Sequence, residues 1–224
     1  IASLVFKEDL EITAMKSMES EEVPFAKTMY PTGNVESWLG VVEQCMKEAL
    51  RDSAMNSIEA YKSVESKDWV KEWPAMIVLA VSSIYWTEGV ESALTNKTVP
   101  QYRDLLLQQL AYLTTLVQQP LCKLMRMTLG ALIVIDVHSR DVVNKLISEN
   151  IEEPTACEWI SQLRYYWKAE EGKLAVQMVQ AERWFGFEYL GNSSRLVITP
   201  LTDRCYMTLM GAMHHNLGGA PAGP

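Results

Sequence analysis

Cysteine and histidine, the side chains on which most metal and nucleophile chemistry depends, are sparse in this chain and poorly spaced for it. The four cysteines, Cys45, Cys122, Cys157 and Cys205, form no C-x-x-C pair and have no histidine at ligand spacing, which excludes a recognisable zinc or redox motif. Reduced, partly buried thiols in a cytosolic compartment are the expected state. His214 and His215 are neighbours, so on a helix they point about 100° apart and cannot share one ion. His138, within IDVHSRD, reads as a structural hydrogen-bonding residue rather than a general base. HExxH, GxSxG and EF-hand patterns are missing, and the carboxylates are dispersed over helix faces as solvated surface. Neither a catalytic constellation nor a metal site is expected.

Positive charge is also short. Twenty Lys and Arg against 28 Asp and Glu leave a net charge of −8. Binding nucleic acid requires clustered cations to neutralise phosphates, so a nucleic-acid partner is excluded. Long apolar runs are lacking as well: PAMIVLAV and LGALIVI fall far short of the roughly 18 residues a membrane span needs. No charged-then-apolar leader follows Ile1, so no signal peptide is visible and a soluble protein without membrane contact is expected.

What is present is globular: 48% hydrophobic and 21% charged residues over 224 positions, enough for one or two cored domains. Residues 1–33 are acidic and lack a long period, which predicts a lead-in of short strands or turns. From Val35 the pattern turns helical. Val35, Trp38, Leu39, Val42, Cys45, Met46, Ala49 and Leu50 fall on one face of a helix running to about Tyr61, with Asn34 as its N-cap. Further helices are expected with Pro74, Pro100 and Pro154 in their opening turns and after Pro120, the fourth bending near Gly130 or His138 and the fifth running through RYYW. Beyond Gly172, KLAVQMVQ, WFGFEYL and RLVITP alternate as three short strands over about 172–198. A last helix follows, with Leu201, Cys205, Leu209 and Met213 in line, Thr202 or Asp203 capping its start, and its end at Gly218–Gly219. Of the seven tryptophans, Trp69, Trp73 and Trp86 bracket one helix pair and Trp159 and Trp167 lie eight apart on another helix; they read as core anchors, and the 12 methionines as gap fillers or an adaptable face. The fold class is mainly α: an elongated antiparallel helical bundle with a small β element near the C-terminus.

The closing stretch GGAPAGP has glycines Gly218 and Gly223 at the spacing of a phosphate-binding loop, without the Lys and Ser/Thr that complete one. By itself it is either a flexible tail or the opening of a nucleotide site.

Several stretches, in order, resemble the dynein heavy chains: VESWLGVVEQCM, WPAMIVLAVSSIYWTEGVESAL, LIVIDVHSRDVV, WISQLRYYW, FGFEYLGNSSRLVITPLTDRCYMTL and LGGAPAGP. The resemblance covers nearly the whole chain from about Ile12, and LRYYW with GGAPAGP is similar to the axonemal type. It implies the C-terminal part of the linker, a mechanical element, running into the first AAA+ module. The divisions it implies are a lead-in at 1–33, the linker bundle with its β element at 34–190, and the module's opening at 191–224. By resemblance Leu196, Val197, Ile198, Pro200, Leu201, Thr202 and Asp203 match the segment that passes the adenine. Gly223 and Pro224 match the first two positions of the phosphate loop.

In such motors the parent binds ATP or ADP with Mg²⁺. Its partners are its own AAA+ ring, other dynein chains and microtubules, in the cytoskeleton of a cilium or flagellum. The phosphate-loop lysine and the Mg²⁺-binding hydroxyl are not in this sequence, so the 224 residues alone are expected to be inactive in ATP hydrolysis. A free-standing helical scaffold that never meets nucleotide is the competing reading of the same composition.

Overall fold

The computed structural model describes residues 1–62, 66–192, 197–220 and 222, with backbone only at 66–68. Among the described residues are seven helices and two three-stranded sheets, so the protein is mainly α as its sequence predicts. The chain forms two compact units.

The first unit comprises Ile1–Val81, Gln119–Ala131 and Gly186–Ser194. Strands β1 (Ser3–Phe6), β2 (Ile12–Lys16) and β3 (Glu22–Met29) pair in sequence order as an antiparallel meander. Val23, Phe25 and Met29 of β3 are buried while Glu22 and Pro24 face outward, the two-residue period of a half-covered sheet. Helix α1 (Val35–Tyr61) packs on β3. Its buried stripe runs Val42, Met46, Ala49, Leu50, while Val35 and Leu39 of the expected face are exposed. Asn34 is the N-cap by position, without a side-chain cap. In α2 (Ser66–Glu72), Trp69 is buried edge-on against Tyr61 at 4.8 Å and donates its indole N–H to the Ser57 carbonyl at 3.0 Å. The next helix, α3 (Ala75–Thr95), starts one residue later than the proline pattern suggests. Pro74 precedes it and its carbonyl accepts from the N–H groups of Ile77 and Val78.

The start of a helix leaves N–H groups without partners in the helix itself. Here the buried Glu21 carboxylate accepts from Ala75 N–H at 2.8 Å, and its other oxygen accepts from the Tyr189 hydroxyl at 2.8 Å. Burial, followed by that hydrogen bond, raises the Tyr189 pKa, so the phenol remains a donor. Gly191, at φ +69°, passes so close to the sheet that a Cβ would stand 2.4 Å from Ser17 Cβ. Asn192 then donates to Thr128 Oγ1 at 2.9 Å. Residues 186–192 are thus pinned irregular chain rather than the strand that the alternation of WFGFEYL predicts.

The second unit comprises Ser82–Gln118, Leu132–Phe185 and Arg195–Pro224. Its helical part is the rest of α3, α4 (Val99–Val117, with a proline in its first turn as expected) and the second half of α5 (Lys123–Ser148), which runs unbroken through Gly130 and His138. Val90 and Leu94, Leu106, Val143 and Leu146, and Trp159 of the short α6 (Cys157–Ile160) form its apolar core. The long helix expected after Pro154 is not formed. RYYW lies in β4 (Arg164–Lys168), which pairs with β5 (Lys173–Met178), and β5 with β6 (Ala181–Trp184). Trp159 and Trp167 therefore do not share a helix face. The β element spans 164–184, earlier than the 172–198 expected, and Val197–Thr199 is not strand. The rest of RLVITP, and the GNSS turn beyond Asn192, lie outside the described residues.

Candidate functional site around residues 197–206

The segment singled out in the sequence leads into α7 (Pro200–His214). Thr199 is its N-cap and forms a reciprocal capping box with Thr202: Thr199 N–H donates to Thr202 Oγ1 at 2.6 Å, and Thr202 N–H to Thr199 Oγ1 at 3.4 Å. The cap is thus Thr199, not Thr202 or Asp203, and Pro200 fills the first turn, where its missing N–H is harmless. The helix ends at His214, before the expected Gly218–Gly219. The line Leu201, Cys205, Leu209, Met213 is exposed; the buried contact is Met210, packed on Met178, Ala181 and Leu163. Arg183 of β6 donates to the Met213 carbonyl at the C-terminal end of α7.

The site residues separate into groups. Val197 and Leu201 are exposed at 67% and 72%. Pro200 and Thr202 build the capped turn. Ile198 and Asp203 line a cavity of about 100 Å³ with Trp86 of α3, His138 of α5, Tyr165 of β4 and Tyr206. Leu196, Gly223 and Pro224 lie outside the described residues.

His138 Nε2 stands 3.9 Å from Asp203 Oδ1. Burial lowers the His138 pKa below its ordinary value, only partly opposed by the charges of Asp203 and Asp141, so the imidazole is neutral at pH 7. Trp86 packs edge-on to Trp159 at 5.2 Å, and its buried indole N–H has no partner among the described residues. Nothing in the sequence marked His138 as a neighbour of Asp203, because the two meet only once α5 and α7 share a unit.

The chemistry these groups allow is recognition. Two exposed apolar side chains flanking a rigid capped turn suit a flat heterocycle such as a nucleotide base. Among the described residues no lysine or arginine lines the cavity, and no group of three His, Cys, Asp or Glu able to hold a metal occurs. The described residues here therefore offer apolar and hydrogen-bonding contacts, without a cation for a triphosphate or a cluster for a metal. Three of the four cysteines are exposed rather than partly buried, Cys45 alone being half-covered.

Two family models match. "Dynein heavy chain, N-terminal region 2" covers residues 1–57, and "Hydrolytic ATP binding site of dynein motor region" covers 185–224. The class is therefore the dynein heavy chains, with residues 185–224 similar to the family's motor-region ATP site. Along its whole length the chain is a homologue of axonemal dynein heavy chains. It is 52% identical over 227 residues to dynein axonemal heavy chain 3 of Mus musculus, covering 100% of this chain and 6% of that one. It is 50% identical over 225 residues to dynein axonemal heavy chain 1 of Homo sapiens, covering 100% and 5%. With dynein axonemal heavy chain 12 of Mus musculus the identity is 45% over 229 residues, covering 100% and 7%. The chain thus spans only about a twentieth of the length of the curated relatives it matches.

Proposed function

We propose that this chain is the coupling segment, or lever, of an ATP-driven microtubule motor of the dynein type. Residues 1–33 serve as lead-in, 34–190 as linker, and 191–224 as the opening of the first AAA+ module. Val197, Ile198, Pro200, Leu201, Thr202 and Asp203 contact the base of the nucleotide, joined by Leu196 and, at the phosphates, Gly223 and Pro224. In the full heavy chain the nucleotide is ATP or ADP with Mg²⁺, and the reaction it supplies is phosphoryl transfer to water. The parent works on microtubules in a ciliary or flagellar axoneme, with its own AAA+ ring and other dynein chains as partners.

The observation that carries this reading is the composition of the second unit. Residues 197–214, matched by the ATP-site family, fold with Ser82–Gln118 and Leu132–Phe185 rather than apart from them. Asp203 lies against α5, Met210 on the second sheet, and the end of α7 is held by Arg183. A ligand that prefers one arrangement of the segment therefore biases the packing of the helices as well, which is what a two-state mechanical element requires.

Leu201→Asp in the full heavy chain tests the contact, since a charge placed on an exposed apolar base contact repels nucleotide without opening the core. The KM for ATP is expected to rise about tenfold or more, with fewer microtubule displacements per ATP hydrolysed. Unchanged KM and unchanged gliding velocity per ATP would remove the reading.

A further inference from the structure

Helix α7 closes in a defined turn rather than fraying. Asn216 lies at φ +56°, in the left-handed region, and its N–H donates to the Met213 carbonyl at 3.1 Å. Leu217 N–H donates to the Ala212 carbonyl at 2.8 Å, which completes a Schellman arrangement. The chain then runs back along the helix: a Cβ on Gly219 would stand 2.4 Å from Leu209 Cδ2. The Met213 carbonyl at the centre of this turn also accepts from Nη2 of Arg183. Arg183 lies on β6, where it pairs with Val176 of β5, so its backbone is fixed by the second sheet. Two residues earlier Ala181 packs with Met178 against Met210, seating the second half of α7 on the same strand. A guanidinium at this end faces the negative pole of the helix and a carbonyl of its last turn, and both favour it there.

We propose that Arg183 is a positioning residue for the chain that leaves α7. By holding the Met213 carbonyl it keeps the closing turn formed and fixes the path of residues 215–220, which lead in sequence to Gly223. It thereby ties the second sheet to the affinity for the phosphates of the nucleotide. This role rests on the nucleotide-contact reading above. A segment held in its binding arrangement binds more tightly than one that samples several, in proportion to the fraction of time spent in that arrangement. Losing one such hydrogen bond lowers that fraction about fivefold.

The test uses the full heavy chain carrying Arg183→Met, Arg183→Lys or Asn216→Val, with two readouts: hydrogen exchange over 214–220 without nucleotide, and steady-state ATP hydrolysis. In Arg183→Met the amides of Asn216 and Leu217 are expected to exchange faster, and the KM for ATP to rise about fivefold with kcat changed less. Arg183→Lys should restore most of both, because one donor to one carbonyl is all the contact requires. Asn216→Val opens the same turn without touching the sheet, since a β-branched residue is strained at that φ, and should raise KM alike. It carries the test if Arg183→Met loosens the whole second sheet. Unchanged exchange over 214–220 in Arg183→Met overturns the clamp. Faster exchange with an unchanged KM, or a lysine variant no better than the methionine one, overturns the positioning role. Leu201→Asp, assayed alongside, separates the two failures. A raised KM there with none in Arg183→Met sinks the positioning role alone; an unchanged KM in Leu201→Asp sinks the nucleotide contact, and the positioning role with it.

Discussion

Two ionisable side chains of α5, both half-buried, respond to pH in opposite senses. Burial pushes the Asp136 carboxyl up to about 7 from an ordinary 3.8, and among the described residues it pairs with no cation. Its folded pKa lies above its unfolded value, so its favourable contribution is full below about 3.8 and is lost as pH rises through about 7. His138 behaves conversely. Its folded pKa lies below the ordinary 6.5, so stability is full above 6.5 and falls as the pH drops below it. Asp136→Asn removes the first effect. Thermal melts should show the variant more stable than the wild type at pH 8 by at least about 1 kcal/mol, or 2–4 °C, with a smaller gain at pH 5. An equal difference at both pH values contradicts the assignment. Neither residue could be singled out by sequence. Asp136 looks like any helix carboxylate, and His138 read as a generic hydrogen-bonding residue, because what distinguishes them is burial among segments distant in the chain. Asp203, by contrast, was visible through the ordered motifs around it.

Among the elements, the junction of α3, α6 and β4 shows how the second unit is locked. One Glu91 oxygen accepts from the Tyr166 hydroxyl at 2.5 Å and from Trp159 Nε1–H at 3.3 Å, and lies 3.9 Å from the Arg164 guanidinium, itself buried. Thr87 Oγ1 accepts from Tyr165 N–H at 3.0 Å and donates to the Ser83 carbonyl, adding a second tie between α3 and β4. Glu91 is itself partly exposed, but removing it leaves the buried Arg164 guanidinium without its nearby carboxylate. Glu91→Ala should therefore cost about 2–3 kcal/mol, read as a lowered midpoint in urea, whereas Lys97→Ala, at the exposed Lys97–Glu152 pair, should cost under about 1 kcal/mol. Similar losses for both would contradict the lock.

The same junction explains where the sequence pattern misled. RYYW follows the helical CEWI closely, and a local pattern extends the helix through it. Yet Tyr, Tyr and Trp favour a pleated surface, and Val176, Ala175 and Leu174 of β5 pair with them residue by residue. The alternation in WFGFEYL is real, but beyond Phe185, whose N–H still donates to the Leu174 carbonyl of β5, no partner strand accompanies it among the described residues, and the positive φ of Phe187 and Gly191 breaks the extended run. The long helices α1, α4 and α5 were legible because their periods are long and their starts carry Asn or Pro signals. The short strand pairings depend on neighbours that a local pattern does not contain.

At the scale of the whole molecule, an acidic, mainly helical chain joins two regions matched by different dynein families, and its compact units do not follow that division. The first unit closes around Glu21, Tyr189 and Gly191; the second gathers α4, the later parts of α3 and α5, the second sheet and α7. The central claim is that residues 197–214 and the helices of the second unit respond to nucleotide together. Hydrogen exchange in the full heavy chain, with and without ATP, tests it most directly. Backbone amides of 197–214 should change protection on nucleotide binding, accompanied by those of 132–148 in α5 and 164–184 in the sheet. A response confined to 197–214, with α5 and the sheet exchanging as before, would contradict the coupling.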